Sequence, residues 1–344
     1  MTRYDSTSSG NDATGRHEPA TFVVTGCAGF IGSHVVEALL ERGDAVRGID
    51  SFTDYYARGL KQANLAACTR DPSFMFIEAD LCDAQLDDLV DGAAGVFHLA
   101  AQAGVRGSWG DTFAVYAQDN IVATQRLLEA AVGAGSRVAF ASSSSVYGDA
   151  EAYPTREDAP PHPISPYGVT KLCCEHLAGA YADSRGLDHV ILRYFTVYGP
   201  RQRPDMAFAR IVRALVDGGT FSVFGTGGQT RDVTFVGDAV AATIAAMDRG
   251  QRGAIYNVGG GSETSLRDAI EIAERLSGRR LDAHHESVAT GDVGRTAADT
   301  SRARRDLDWK PRTSIEEGLR QQLAWAGIDA AAAAEGSRAG SPPS

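Results

Sequence analysis

Two side chains four residues apart, Tyr167 and Lys171, form a pair that can move a proton. They lie in the segment SPYGVTK, where Ser165 can cap a helix and Pro166 can occupy its first position. In a helix that begins there, residues i and i+4 share one face. A neighbouring ammonium favours the phenolate and lowers a tyrosine pKa that is ordinarily about 10. We therefore expect Tyr167 to act as a general base whose charge Lys171 supports.

Composition makes this pair specific. The chain has 11 tyrosines, and only three of its 33 basic residues are lysines, at positions 61, 171 and 310. By chance, a tyrosine followed four residues later by a lysine would occur about 0.1 times in such a chain. A lysine at this position in an arginine-rich chain indicates that a compact ammonium is needed there and not the planar, forked guanidinium of arginine. The alternative is a solvated pair on a helix surface.

Four consecutive serines, Ser142 to Ser145, end the apolar segment 137–141, which has the character of a buried strand. In an open α/β sheet the strands end at the crevice where ligands bind, so these hydroxyls are expected to face a substrate. Neutral hydroxyls can relay a proton, but they cannot replace a carboxylic acid.

The elements that position these groups alternate between strands and helices. Strands are predicted at 21–25, 45–50, 74–78, 95–99, 137–141 and 189–194, and helices at 31–42, 118–132 and 167–184. This alternation predicts an α/β fold with a Rossmann-like, doubly wound parallel sheet. From residue 195 the pattern loosens and arginines gather, which predicts a smaller C-terminal α/β substrate lobe.

The chain of 344 residues is expected to divide into two parts. The cofactor-binding domain is predicted over 20–194, with a later segment near 232–258 returning to it, and the substrate lobe over 195–328. The end segments, 1–19 and 329–344, are rich in Ser, Gly, Ala and Pro and are predicted to be disordered.

Overall charge and cysteine use exclude several classes of partner. A net charge of −11 argues against non-specific nucleic-acid binding, so an anionic ligand requires a local arginine pocket. The five cysteines have no metal-ligand or disulfide spacing. No run approaches the roughly 18 apolar residues of a membrane helix, and the N-terminus lacks the apolar core of a secretory signal. We expect a cytoplasmic protein without a metal.

A dinucleotide site is predicted after the first strand, in TGCAGFIGSH. Gly26 permits a tight turn, Gly29 lets the backbone approach a pyrophosphate, and Gly32 lets helix and strand pack closely. Phe30 and Ile31 lie at the helix N-terminus, whose free N–H groups favour phosphates. The alternative is a structural glycine turn.

Acidic residues at two strand ends indicate which dinucleotide binds. Asp50 ends the second strand, where a carboxylate accepts hydrogen bonds from the adenosine ribose and repels a 2′-phosphate, so NAD is favoured over NADP. Asp80, followed by Leu81, comes two residues after the third strand and is expected near the adenine edge.

Taken together, these motifs resemble the extended short-chain dehydrogenase/reductase family. The G-x-x-G-x-x-G loop, Asp50, HLAAQ at 98–102, the serine cluster and Y-x-x-x-K carry the resemblance. Its nucleotide-sugar branch is indicated by RYFTVYGP at 193–200, GTGGQTRDVTFVGD at 225–238 and DLDWKP at 306–311. The resemblance covers about residues 20–325.

The resemblance implies roles for particular residues. Ser143 would assist Tyr167 at the reacting sugar hydroxyl, and Lys171 would also hold the nicotinamide ribose. Further cofactor contacts are implied for Leu99, Ala100, Ala101, Asn120 and Phe195. Candidate contacts of a UDP-sugar are Arg106, the backbone of Phe195, Arg231 and Asp292. One departure concerns the last: relatives often carry an arginine where this chain has Ala289.

Four further positions favour one reaction within the branch. Related dehydratases carry an acidic pair among the serines and UDP-glucuronate decarboxylases a glutamate there, whereas this chain has Ser144 and Ser145. Thr196 and the run GPRQRPDMA resemble UDP-glucuronate 4-epimerases. Arg203 can bind a sugar carboxylate in a bidentate pair, with Ser144, Ser145 and Thr196 as further donors. The alternative is that Arg201 and Arg203 stabilise a loop or bind phosphates.

We therefore expect NAD-dependent epimerisation at C4, from UDP-glucuronate to UDP-galacturonate, without decarboxylation. The nearest rival is a UDP-glucose or UDP-N-acetylglucosamine 4-epimerase. Dehydration or decarboxylation is disfavoured by the missing acids, and a non-catalytic nucleotide sensor by the intact Ser143, Tyr167 and Lys171. Relatives commonly form homodimers through two helices each, here near 113–133 and 167–184.

Overall fold

A computed structural model describes residues 18–286 and 293–328. Except for residues 18 and 19, the segments predicted to be disordered lie outside the described residues, as does Asp292. No helix in the described ranges is both long enough and apolar enough to span a bilayer.

The strands and helices alternate as the sequence predicts. In chain order the strands are β1 Thr21–Thr25, β2 Ala45–Asp50, β3 Phe74–Glu78, β4 Gly95–His98, β5 Arg137–Ser143, β6 His189–Tyr194, β7 Thr196–Tyr198, β8 Thr220–Phe224, β9 Thr230–Phe235, β10 Ile255–Val258, β11 Glu263–Ser265 and β12 Asp282–Glu286. The helices are α1 Phe30–Glu41, α2 Arg58–Leu65, α3 Leu86–Val90, α4 Phe113–Tyr116, α5 Ala123–Ala134, α6 Pro166–Arg185, α7 Ala207–Asp217, α8 Val236–Arg249, α9 Leu266–Ser277, α10 Ser301–Leu307 and α11 Ile315–Trp325.

Seven parallel strands form the main sheet in the order β10-β6-β5-β4-β1-β2-β3. The fold class is therefore confirmed as a Rossmann-like, doubly wound α/β sheet. The chain runs outward through β1, β2 and β3 and then returns to place β4 on the other side of β1. This reversal opens a crevice at the carboxyl ends of β1 and β4, where such folds bind ligands.

Both faces of this sheet are buried. In β1, Phe22 and Val24 pack into the cluster that contains residues of α1 and α8, whereas Val23 packs into the cluster on the side of α5 and α6. Side chains alternate between the faces of a strand, so a strand covered on both sides reads as a continuous apolar run.

The predicted helix 118–132 is longer and less regular than expected. It begins as α4, continues through a π-helical turn at Ala117–Val122 and ends as α5. Such turns occur often at functional sites, and this one contains Asn120.

A smaller unit follows β6. It contains a three-stranded sheet, β11-β9-β7, and a two-stranded parallel sheet, β8-β12, with α7 and α9 packed nearby. Two later elements return to the main sheet, because β10 pairs with β6 and α8 packs against α1. The domain boundaries themselves stay a prediction.

Candidate active site

A cleft opens where β1 and β4 end, and the backbone at its base requires a glycine at position 26. Gly26 has φ +67°, and a Cβ there would lie 2.8 Å from the amide nitrogen of Ala100. The Thr25 hydroxyl accepts hydrogen bonds from the N–H groups of Leu99 and Ala100, each at 3.1 Å. The loops after β1 and β4 are therefore held together by a contact that no larger residue at position 26 would permit.

This cofactor cleft is lined by 13 of the 15 residues expected to contact the dinucleotide. They are Gly26, Gly29, Phe30, Ile31, Gly32, Asp50, Asp80, Leu81, Leu99, Ala100, Ala101, Tyr167 and Lys171. Gly29 precedes α1 without a side-chain cap, so no side chain at that position covers the first-turn N–H groups. Asp50 accepts from the backbone N–H groups of Ala28 and Phe52 and also lines the cleft. A glycine cradle, a helix N-terminus and a carboxylate fit the pyrophosphate and ribose of NAD.

Asn120 and Phe195 lie elsewhere. The Asn120 amide donates to the Gln102 carbonyl and to Thr170, and its oxygen accepts from the Gln102 N–H. Asn120 therefore links the loop after β4 to α6. Phe195 lines the adjoining substrate cavity instead.

One cleft residue that the sequence reasoning missed is Lys61. Its ammonium donates to the carbonyl and hydroxyl of Thr53 and lies 4.9 Å from the centre of the Tyr56 ring. It lines the cleft with Asp50, whose charge acts on it. The scarcity of lysine in this chain was the signal that could have identified it.

The predicted general base, Tyr167, is placed by the start of α6. The Ser165 hydroxyl accepts from the Gly168 N–H at 3.1 Å and Pro166 is the first helical residue, as predicted. A Cβ on Gly168 would lie 2.5 Å from the Ser145 carbonyl oxygen. The helix therefore approaches the serines closely enough for Tyr167 to hydrogen-bond Ser143.

The electrostatics of Tyr167 differ from the expectation. Burial raises the pKa of the Tyr167 phenol, whereas the Arg203 charge and the hydrogen bond with Ser143 lower it. Lys171, which was expected to lower this pKa, is not among the groups that shift it here, and its ammonium donates to the Ala141 carbonyl at 2.8 Å. Burial in turn lowers the pKa of Lys171 to about 8, against the charges of Cys174 and Glu175.

The four serines have different environments. Ser142 donates to Glu175, which forms a buried ion pair with Arg193. Ser143 and Ser144 line the substrate cavity. Ser145 exchanges hydrogen bonds with Ser143, which donates to its hydroxyl and accepts from its N–H, both at 3.1 Å. Ser145 is not among the described cavity-lining residues and is bonded to Ser143, so its expected contact with the substrate stays a prediction.

The substrate cavity adjoins the cofactor cleft, and Tyr167 and Arg203 line both. Arginine and aromatic side chains make up much of its far wall. The Arg106 guanidinium lies 4.1 Å from the centre of the Phe224 ring, and the Arg210 guanidinium 5.9 Å from it. Together with Arg203, these residues give a chain of net charge −11 a local cationic pocket.

Expected substrate contacts divide into three groups. Arg106, Ser143, Ser144, Thr196 and Arg203 line the substrate cavity, as does Ser142. Arg231 is not among the lining residues and donates to the Thr230 and Gly294 carbonyls. Asp292 lies outside the described residues. Arg295, which could take the place of the arginine that relatives carry at position 289, pairs with Glu263.

Fold and site together define an extended short-chain dehydrogenase/reductase, the class that combines this sheet with the Ser, Tyr and Lys set. Residues 23–322 match the GDP-mannose 4,6-dehydratase family. The chain belongs to that family, and the resemblance found in the sequence is confirmed.

Several relatives within this family bear the names of nucleotide-sugar epimerases. An uncharacterised UDP-glucose epimerase of Bacillus subtilis, YtcB, is 42% identical over 306 residues, which cover 88% of this chain and 96% of that one. A UDP-glucuronate 4-epimerase of Thermodesulfobacterium geofontis is 39% identical over 310 residues, 88% of this chain and 95% of that one. The crystal structure of the Bacillus cereus UDP-glucuronic acid 4-epimerase, in complex with UDP-glucuronic acid and NAD, superposes with a TM-score of 0.87 at 40% identity, covering 89% of this chain and 99% of that one.

Proposed function

We propose that this protein is an NAD-dependent isomerase that converts UDP-glucuronate to UDP-galacturonate by inverting C4. One observation carries the proposal: a base, hydroxyl donors and a guanidinium line one cavity that adjoins a dinucleotide cleft. The base is Tyr167, the donors are Ser143, Ser144 and Thr196, and the guanidinium is that of Arg203.

NAD would be held by residues of the cofactor cleft. Backbone N–H groups at the start of α1 would bind the pyrophosphate, Asp50 the adenosine ribose and Lys171 the nicotinamide ribose. When bound, NAD supplies a hydride acceptor whose reduced form can return the hydride, so the enzyme needs no added oxidant or reductant.

Proton transfer belongs to Tyr167 and Ser143. The Tyr167 oxygen takes the proton of the sugar 4-hydroxyl and returns it after the opposite face of C4 has been presented. Its hydrogen bond with Ser143, which is bonded in turn to Ser145, aligns the phenol and lowers its pKa, which favours the phenolate form that can take the proton. The arginines keep the diphosphate in place while the sugar turns over.

A firm hold on the sugar carboxylate has a chemical purpose. Oxidation at C4 of a glucuronate leaves a ketone β to the C6 carboxylate, and a β-keto acid readily loses carbon dioxide when that bond aligns with the carbonyl π system. Several fixed donors keep the carboxylate out of alignment better than one flexible cation. Ser144, Thr196 and Arg203 are suited to this task.

The part of the cavity that the described residues line offers no unpaired acid for elimination. Asp205 is the one acidic residue among the described residues that line it. Arg203 and Tyr55 both donate to that carboxylate. A paired carboxylate is a poor proton donor to a leaving hydroxyl, which favours epimerisation over dehydration.

A neutral sugar is the second candidate substrate. The relative YtcB bears the name of a UDP-glucose epimerase at 42% identity. The same Tyr167 and Ser143 chemistry would act on UDP-glucose, because nothing in that step requires a carboxylate.

We expect a cytoplasmic homodimer. All five cysteines are free, which suits a reducing compartment. Apolar side chains are exposed along α4, the π-helical turn and α6, notably Phe113, Val122 and Val169. A dimer through these helices would cover them. Val122→Glu should yield a monomer in sedimentation experiments, whereas Val216→Glu, at an exposed valine of α7, should not.

The function is tested by incubating the purified protein with UDP-glucuronate, without added NAD, and following the sugar protons by NMR. UDP-galacturonate with little pentose supports the proposal. A pentose or 4-keto-pentose product would mean that the enzyme decarboxylates. Turnover of UDP-glucose alone, in a sample that retains NAD, would select the second candidate.

A further inference from the structure

We propose that Asp205 and Tyr55 are positioning residues that fix the Arg203 guanidinium at the junction of the cofactor cleft and the substrate cavity. We further propose that this fixed orientation produces the preference for a sugar bearing a carboxylate. The inference rests on the proposed function, and neither residue belongs to the expected catalytic set.

The Arg203 fork is already partly occupied. Its Nε donates to Oδ1 of Asp205 and its Nη2 to Oδ2, both at 3.0 Å. A guanidinium has five N–H groups, and no other described residue accepts from this one, so three remain for a ligand. Because the pair uses one edge of the plane, the Nη1 and Nη2 end is left to form a second bidentate pair.

Tyr55 connects this pair to the cofactor side. Its hydroxyl donates to Oδ2 of Asp205 at 3.2 Å, and the Arg203 guanidinium lies 5.6 Å from the centre of its ring. Tyr55 follows β2, the strand that ends in Asp50, and Tyr55 and Asp50 both line the cofactor cleft. Burial acts against ionisation, but hydrogen bonds from Arg203 and its charge hold the pKa of Asp205 below its ordinary value.

The loop that carries Arg203 is anchored a second time. Arg201 donates to Glu37 of α1 at 2.6 Å, and His34 of the same helix hydrogen-bonds the Pro200 carbonyl at 3.1 Å. Arg201 has φ +64°, a conformation that a non-glycine residue adopts only when its surroundings hold it there. The loop of Arg203 is therefore bonded both to the segment after β2, through Tyr55, and to helix α1, through Glu37 and His34.

Selectivity follows from this arrangement. An arginine without an internal partner loses rotamer freedom when it binds a carboxylate, whereas one already fixed by Asp205 loses less. The Asp205 carboxylate also offsets the positive charge of Arg203. Discrimination between the uronate and the neutral sugar therefore depends more on the orientation of the remaining Arg203 N–H groups than on net electrostatic attraction. Loss of Asp205 should therefore weaken binding of the uronate more than binding of the neutral sugar.

The test compares the affinity of the NAD-loaded protein for UDP-glucuronate and UDP-glucose by calorimetry. All proteins carry Tyr167→Phe, so that turnover does not mix the epimers. Asp205→Asn should reduce the preference for the uronate about tenfold, as expected for a charge-assisted contact, and Tyr55→Phe about threefold. Asp158→Asn is the matched control, because Arg156 and Asp158 form the same Arg-x-Asp pair at 3.0 and 3.2 Å but with side chains 65% and 60% exposed.

The outcomes separate this inference from the function itself. An unchanged or increased uronate preference in Asp205→Asn, with the melting temperature preserved, overturns the positioning role. If Asp205→Asn does not fold, an unchanged uronate preference in Tyr55→Phe overturns the positioning role. No preference in the Tyr167→Phe parent would instead refute the proposed uronate specificity.

Discussion

The ammonium of Lys171 lies 2.8 Å from the carbonyl oxygen of Ala141, the residue that precedes the four serines. This hydrogen bond joins α6 to the end of β5 and so fixes the position of Tyr167, the predicted base on α6, relative to Ser143 at the end of β5. Lys171 therefore has a structural role at the site as well as its expected contact with the cofactor ribose.

Replacement of Tyr167 tests the proton-transfer role. Tyr167→Phe removes the phenol oxygen and should lower kcat by about 10²- to 10⁴-fold, the usual contribution of a general base. The melting temperature should change little, because the ring remains. Tyr181→Phe on the same helix, which removes a hydrogen bond to Glu129, should retain activity. Comparable activity in wild type and Tyr167→Phe would refute the assignment.

Gly168 tests whether activity depends on close approach of α6 to the serines. An alanine Cβ would lie 2.5 Å from the Ser145 carbonyl oxygen, so the helix or the serine turn must shift. We expect Gly168→Ala to lower kcat at least tenfold, because small displacements of catalytic groups are costly.

Gly179→Ala is the control for that substitution. A Cβ there meets no atom within 4 Å, so this change in the same helix should stabilise the fold by about 0.5–1 kcal/mol and preserve kcat. Equal kcat values for the two alanine variants would contradict the packing argument. Thermal unfolding and initial rates measure both effects.

The buried Glu175–Arg193 pair should matter for stability. Glu175 accepts from Arg193 at 2.6 and 2.9 Å and also from Ser142. Glu175→Gln leaves a buried guanidinium without its charge partner and should cost about 3–5 kcal/mol in urea unfolding. Glu316→Gln breaks the exposed pair with Arg275 and should cost less than about 1 kcal/mol. Similar losses from both variants would mean that burial does not set the energy of the inner pair.

Lys171 should make stability depend on pH in a defined window. Burial lowers its pKa to about 8 in the folded chain, below the unfolded value of 10.5. Between these values the unfolded chain binds more protons, so stability rises with pH across the window. Relative to Lys171→Met, the wild type should gain stability between pH 8 and pH 10.5. Denaturant unfolding of both proteins at several pH values measures it, and a constant difference would refute the shifted pKa.

The main sheet and the segments that carry the candidate site were largely predictable because local sequence patterns specify them. Strand alternation identified the main sheet, and the Ser165-Pro166 start placed Tyr167 and Lys171 on one helix as expected. The glycine loop and Asp50 were likewise found where the spacing predicted. These features depend on neighbours within a few residues, which a linear reading can follow.

Other residues were not predictable because their roles depend on distant partners. Glu175 gives no local indication that it meets Ser142 and Arg193, and Tyr55 gives none that it reaches Asp205, 150 positions later. The Arg203-Pro204-Asp205 spacing was a visible sign of an internal pair, but its alternative, a substrate contact, has the same sequence pattern.

The sequence by itself determined the fold class and the position of the dinucleotide loop, and it predicts the base, because each of these inferences depends on periodicity or on fixed local spacing. Only the tertiary structure decided how the four serines divide and which partner holds each guanidinium. Hydrogen bonds and charges act through space over a few ångströms, and Ser142 to Ser145 became distinct only when β5, α6 and the loop of Arg203 were brought together.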